Sequence, residues 1–267
     1  MEKNFQFKKS LGQNFLQDKN IIHKIVESAH IDKDTLVIEI GPGGGAITEL
    51  IVPLAGNALL YEADQRLEKP LNDLLKDFSN YQIIFGDFLK ANVHEDIHNY
   101  SYQKLYVVAN LPYYITTPII LKFIEEEIFP DQLVVMVQKE VASRLAARVG
   151  SRDYGSLTVF LNYYYEIEKL FDVGRNCFVP KPNVDSAVVK LKLKQERLEV
   201  VNTKLFHELV RDSFIYKRKT LRNNLKHYDL KIIEQVLGKY GFDLSVRAED
   251  LELDVFVEIA NELARNG

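Results

Sequence analysis

Between residues 36 and 137 the chain alternates short apolar runs with stretches of helical periodicity. The runs are Leu36 to Ile40, Ala58 to Tyr61, Gln82 to Phe85, Leu105 to Ala109 and Leu133 to Val137. Between them, Ala46 to Leu54, Arg66 to Phe78 and Pro118 to Glu127 place apolar residues three and four apart, as one face of a helix does. Strand, helix, strand in this order predicts an α/β fold with a mostly parallel sheet and helices on both faces, because parallel neighbours need a crossover long enough to hold a helix. Two later runs, Leu157 to Tyr163 and Ala187 to Leu193, are expected to extend the sheet. The second alternates apolar residues with lysine (VVKLKLK) and reads as an edge strand with one wet face.

The flanks differ from this middle. Residues 18 to 30 predict an amphipathic helix capped by Asp18, with Ile21, Ile22, Ile25 and Val26 on its apolar side. From about residue 203 the strands stop. Leu205, Phe206, Leu209 and Val210, then Ile232, Ile233, Val236 and Leu237, then Val255, Phe256, Ile259 and Leu263 mark three helices, after a polar linker at 194 to 202. The expected organisation is an α/β domain over 1–200, including a polar arm at 1–17, and a small all-helical domain over 201–267.

A chain of 267 residues with 46% hydrophobic content can bury an ordinary core. No run approaches the roughly 18 apolar residues of a membrane span, and MEKNFQFKKS lacks the apolar core of a signal peptide, so a cytoplasmic location and no membrane partner are expected. The one cysteine, Cys177, reads as a packed small hydrophobe. A formal net charge of −4 argues against a nucleic-acid partner, since cations supply most non-specific affinity. The distribution argues the other way: KRKTLRNNLK at 217 to 226 carries five positive charges and no acid, while six acids at 249 to 262 offset it in the total.

EIGPGGGAIT, residues 39 to 48, follows the first predicted strand and opens a helix. Gly41, Gly43, Gly44 and Gly45 permit a tight turn against which a nucleotide-like ligand can lie. Gly41, Gly43 and Ala46 also fit the dinucleotide fingerprint, and an acid about 20 residues on, as Glu62 is, suits the ribose of either a nicotinamide or an adenosylmethionine. Asp64 is the rival acid, or a helix cap. Asp87, after the third strand, is placed to accept from an adenine amino group. Acids at the ends of the first, second and third strands together point to one site, because ligands of open α/β sheets sit outside those ends.

Asn110, Leu111, Pro112 and Tyr113 follow the fourth strand. An adenine N6 is a poor nucleophile because its lone pair is delocalised into the ring. Two acceptors taking both N–H bonds from one side, Asn110 Oδ1 and the Leu111 carbonyl, would turn that lone pair toward an incoming methyl group, with Pro112 fixing the backbone and Tyr113 stacking on the ring. Phe178 could cover the other face of the base, or be core. HEDIH at 94 to 98 matches the zinc-protease pattern formally, but its setting is short and polar, no third ligand is evident, and no metal is expected. Tyr163, Tyr164 and Tyr165 suit RNA stacking and strand packing equally.

Taken together, KKSLGQNFL at 8 to 16, EIGPGGGAIT, the YEAD acid, GDFL at 86 to 89, NLPY at 110 to 113, FVPKPNVDS at 178 to 186 and FIYKRKTLRNNL at 214 to 225 resemble the ribosomal RNA adenine dimethyltransferase family. The resemblance implies a Rossmann-like, seven-stranded class I methyltransferase sheet with a helical RNA-binding appendage. It implies S-adenosylmethionine as cofactor, held by Asn14, Leu16, Gly41, Gly43, Glu62, Asp87 and Asn110, with residues 13 to 16 folding over it. Asn110, Leu111, Pro112, Tyr113 and Phe178 then form the catalytic set, and Lys217, Arg218, Lys219 and Arg222 contact RNA. The bacterial branch, which LGQNFL, NLPY and KRKTLRNNL resemble more closely than the macrolide-resistance branch, dimethylates two adjacent adenosines in the 3′-terminal hairpin loop of small-subunit (16S) RNA. Pre-30S particles as partner and a monomeric enzyme are expected on that ground. The alternatives are a large-subunit methylase of the resistance type, a DNA adenine methylase, an assembly factor with secondary catalysis and a nicotinamide-dependent dehydrogenase, which leaves NLPY unexplained.

Overall fold

The computed structural model describes residues 13–266. The expected arm at 1–17 and the KKSLGQNFL stretch therefore lie partly outside the described residues. A short strand β1 (Phe15–Leu16) leads into α1 (Lys19–Ala29), where Asp18 accepts from the backbone of Asn20 and Ile21, the cap its sequence predicts. The alternation then follows: β2 (Thr35–Ile40), α2 (Thr48–Leu54), β3 (Asn57–Glu62), α3 (Glu68–Leu75), β4 (Tyr81–Phe85), α4 (Val93–His98), β5 (Lys104–Asn110), α5 (Thr116–Glu125) and β6 (Gln132–Gln138). After α6 (Lys139–Leu145) come α7 (Ser156–Tyr164), β7 (Tyr165–Val173), β8 (Phe178–Val179) and β9 (Ser186–Leu193). The chain ends in α8 (Thr203–Ser213), α9 (Leu221–Asn224), α10 (Leu230–Lys239) and α11 (Leu253–Asn266).

Seven strands form one sheet in the order β4-β3-β2-β5-β6-β9-β7. The first five pair in parallel and β9 runs antiparallel to β6. Every residue of the central β2 is buried, as a parallel strand covered on both faces must be. Its core joins Val37, Val108, Val134 and Met136 of the sheet to Ile22, Ile25 and Val26 of α1 and Ile51 and Val52 of α2.

The chain divides into two compact units, Gln13–Ala142 with Glu168–Leu193, and Ser143–Ile167 with Lys194–Asn266. The second division falls between Leu193 and Lys194. Residues 143–167, expected with the sheet, group instead with the C-terminal helices. In that second unit Phe206 and Phe256 are fully buried, and Tyr163 packs on Phe206 at 5.0 Å between ring centroids.

Three local expectations change. Leu157 to Tyr163 is helix α7, because a short apolar run has the same pattern in a buried helix as in a strand. The last strand of the sheet is β7, whose exposed Glu166, Glu168 and Asp172 mark it as the real edge. β9 is interior, and its alternating lysines keep to one face of the strand: Lys190 donates to the Ser28 carbonyl at the end of α1. The tyrosine run at 163 to 165 is buried, with Tyr163 donating to the Leu198 carbonyl and Tyr164 bonded to His207, which leaves it no free face for RNA.

Candidate active site

The carboxyl ends of β2, β3, β4 and β5 surround a cavity of about 360 Å³, within the range of small-molecule sites. It is lined by Gly41, Gly43, Glu62, Asp87, Asn110, Leu111, Pro112 and Tyr113, and from the arm by Gln13, Asn14 and Phe15. A second hollow of about 210 Å³ shares Phe15, Gly41 and Asn110 with the first and adds Leu16 and Glu39. Of the expected cofactor and catalytic residues, only Phe178 lines neither.

The glycine turn and the NLPY corner meet. Gly41, at φ +74°, donates to the Tyr61 carbonyl at 2.8 Å, and a Cβ added to it would lie 3.8 Å from the Pro112 ring. Gly43, at φ +57°, leaves room for Phe15: a Cβ there would come within 2.6 Å of the phenyl ring. A side chain at Gly43 would therefore push the arm off the site.

Glu62 is buried, with both carboxylate oxygens engaged. Oε2 accepts from Gly43 N at 3.0 Å and Oε1 from Asp64 N at 2.8 Å. Burial pushes its carboxyl above the usual range, while those two backbone bonds oppose the shift. Each oxygen retains a lone pair for a ribose hydroxyl. Asp64 takes the other reading offered for it. It caps the turn at Gln65, pairs with Arg66 at 2.5 Å and accepts from Gln13 at 2.8 Å, and the Arg66 guanidinium holds its carboxyl well below the usual range. The tie to Gln13 also fastens the arm to the rim. Glu62→Ala should weaken S-adenosylmethionine binding on the order of ten- to a hundred-fold in calorimetry, the loss expected when charged hydrogen bonds go. An unchanged Kd would remove Glu62 from the site.

At the corner, Leu111 N donates to the Met136 carbonyl at 3.1 Å, pinning it to β6. The Pro112 carbonyl accepts from Thr116 at 3.1 Å and starts α5. Asn110 Nδ2 donates to the Asn14 carbonyl at 3.0 Å, which settles which end of the amide is nitrogen and leaves Oδ1 as the acceptor for a ligand. The Tyr113 hydroxyl bonds Ser186 at 2.6 Å, so its ring is held at both ends, and burial raises its pKa. Asp87 is exposed and caps the following turn through Leu89 N at 3.1 Å.

Phe178 is 2% exposed and packs in the core, its strand β8 pairing Phe178 with Leu16 of β1. That pairing ties β1 to β8. Sequence reading did not single out Phe88, which lines the cavity beside Asp87 and meets Tyr61 edge-on at 5.0 Å. Its signal was its place directly after a strand-end acid. Nor did it single out Tyr114, 57% exposed on the cavity wall. HEDIH lies on a short helix, α4, with Asn92 capping it and Val93 and Ile97 packed inward. His94 and His98 are exposed on it, and among the described residues no three histidine, cysteine or carboxylate groups gather as metal ligands. Cys177 is half-buried against the core.

This strand order, with a glycine turn and strand-end acids around one cavity, defines a Rossmann-like class I methyltransferase. A family model of ribosomal RNA adenine dimethylases matches residues 4–265, and the chain belongs to that family. It is 46% identical to a Bacillus cytotoxicus protein named ribosomal RNA small subunit methyltransferase A, over 97% of this chain and 92% of the relative. A Bacillus mycoides protein of the same name is 45% identical over the same shares. Among solved structures, a dimethyladenosine transferase from Plasmodium falciparum superposes with a TM-score of 0.79 at 27% identity, covering 95% of this chain and 98% of that one. The 23S rRNA methyltransferase ErmE superposes with a TM-score of 0.72 at 28% identity, covering 94% and 100%.

Proposed function

We propose that this enzyme transfers methyl groups from S-adenosylmethionine to the N6 amines of two adjacent adenosines in the 3′-terminal hairpin loop of small-subunit ribosomal RNA, acting as a monomer on pre-30S particles in the cytoplasm. The observation that carries the reading is the abutment of Pro112 on the glycine turn, with Asn110 lining both hollows and its amide turned by the Asn14 carbonyl. The lining fits the cofactor: Glu62 for ribose hydroxyls, Asp87 for the adenine amine, and the buried carboxyls of Glu39 and Glu62 as groups that a bound cation would favour in their charged form. When bound, that cofactor supplies a methyl group on a sulfonium. Asn110 Oδ1 and the Leu111 carbonyl accept the two N6 hydrogens and so direct the lone pair, and Tyr113 stacks on the purine. No strong base is needed, because the methylated amine is acidic while cationic and sheds its proton afterwards. The base must leave its stack to enter, which is easiest in a loop.

Transfer of tritiated methyl into precursor small-subunit particles, followed by nucleoside analysis, tests this directly. Dimethyladenosine in small-subunit RNA is the expected product; label in large-subunit RNA, in DNA or in no adenosine overturns the reading. No helix of the described residues is long and apolar enough to cross a membrane.

Lys217, Arg218, Lys219 and Arg222 are exposed in the second unit. They are not equivalent. Lys217 donates to the Arg152 carbonyl, and Arg222 lies 3.7 Å from Glu234. Removing Arg218 or Lys219 should therefore lower the slope of log K against log salt by about 0.7 to 0.9 each, and removing Arg222 by less. Filter binding over a salt series measures this, and unchanged slopes would exclude the patch as a phosphate contact.

A further inference from the structure

The turn between α8 and α9 presents more than charge. Ile215 is 55% exposed and Tyr216 is 63% exposed, the highest value for any large hydrophobic side chain among the described residues. Both directly precede Lys217, Arg218 and Lys219, all exposed. No described residue stacks on the Tyr216 ring or bonds its hydroxyl.

The backbone beneath that ring is nevertheless held firmly. Asn224, 5% exposed, accepts from Tyr216 N at 3.2 Å and donates to the Ser213 carbonyl at 2.7 Å and the Tyr216 carbonyl at 3.4 Å. Lys219 N donates to the same Tyr216 carbonyl at 2.8 Å. A buried amide thus fixes the turn from within while two apolar side chains face water. Such exposure costs hydrophobic free energy unless a ligand covers it. Two side chains are too little for a specific protein interface, which buries more than about 1,000 Å². They suit one planar ring with an anionic backbone beside it.

We propose that Tyr216 is a stacking platform for an unpaired nucleobase of the RNA substrate, with Ile215 extending its apolar edge and the adjoining cations taking the phosphates of the same strand. The proposal rests on the RNA methyltransferase reading and adds to it a binding subsite separate from the base that is methylated. Stacking of a base on an aromatic ring is independent of sequence and salt, whereas phosphate contacts depend steeply on salt. The two contributions therefore separate experimentally.

The test compares binding of oligoadenylate, whose bases are unpaired, with binding of duplex RNA of equal length over a salt series. Tyr216→Ala should weaken oligoadenylate binding roughly five-fold or more at every salt concentration, with the slope unchanged. Duplex binding should stay at the wild-type value, and Tyr216→Phe, which keeps the ring, should bind like wild type. Wild-type oligoadenylate affinity in Tyr216→Ala, equal losses on both RNAs, or a slope reduced as in Arg218→Gln would each overturn the proposal. Failure of the underlying reading looks different: the wild-type enzyme would then leave adenosines of precursor particles unmethylated, whatever Tyr216 does.

Discussion

Asn110→Ala should lower the single-turnover rate of methyl transfer on the order of 10²- to 10³-fold, the loss seen when one preorganised hydrogen-bonding group leaves a polar transition state. The structure makes this sharper than the residue's position alone. Because Nδ2 is committed to the Asn14 carbonyl, the amide is held one way round, with Oδ1 as its remaining acceptor. The same bond ties the arm to β5, so alanine should also weaken the cofactor, and the rate must be read at saturating S-adenosylmethionine. RNA affinity should stay within about two-fold, since in the proposed mode the extruded base is the one part of the RNA that Asn110 would meet. A saturated rate equal to wild type would show that the amine is not held by Asn110, and the proposed chemistry would fail with it.

The second large effect concerns Glu39, in the fully buried β2 at the edge of the smaller hollow. Its one recorded partner is the Thr48 hydroxyl at 2.7 Å, and burial, with the nearby Glu62 charge adding to it, pushes its carboxyl up to about 8. The unfolded chain releases that proton near the ordinary value of 4.5. Between those limits the folded protein holds one proton more than the unfolded one, so stability falls as pH rises, by up to about 1.4 kcal/mol per pH unit. The cost is absent below about 4.5 and complete above about 8. Glu39→Gln keeps the shape and the threonine contact but cannot ionise. Its denaturation midpoint should therefore overtake that of wild type as pH goes from 6 to 8. Parallel midpoints across that range would mean Glu39 is already charged in the folded state. A bound cation beside Glu39 would favour the charged form, so S-adenosylmethionine should flatten the wild-type dependence.

Much of the site was readable before any coordinates because its parts are local. A glycine turn after a strand, acids closing the next two strands and Asn-Leu-Pro-Tyr closing the fourth each depend on a few consecutive residues, and the parallel rhythm brings their ends to one edge of the sheet. Residues whose role depends on a distant partner were not readable. Phe178 stands in a motif rich in prolines and suits either a base or the core. Its pairing with Leu16, 162 positions earlier, puts it in the core. Asp64 and Glu62 stand two apart with equal chemistry, and only Gly43, Gln13 and Arg66 separate their roles.

From its sequence alone, this chain determines its class: period-two and period-3.6 patterns are set by neighbours along the backbone, and the turn chemistry of glycine and proline is a property of those residues. Tertiary structure alone decides which run is edge and which interior, whether residues 157 to 163 coil or extend, and which side chains face the cavity. These depend on what packs alongside, and a one-dimensional pattern carries no record of its neighbours in space.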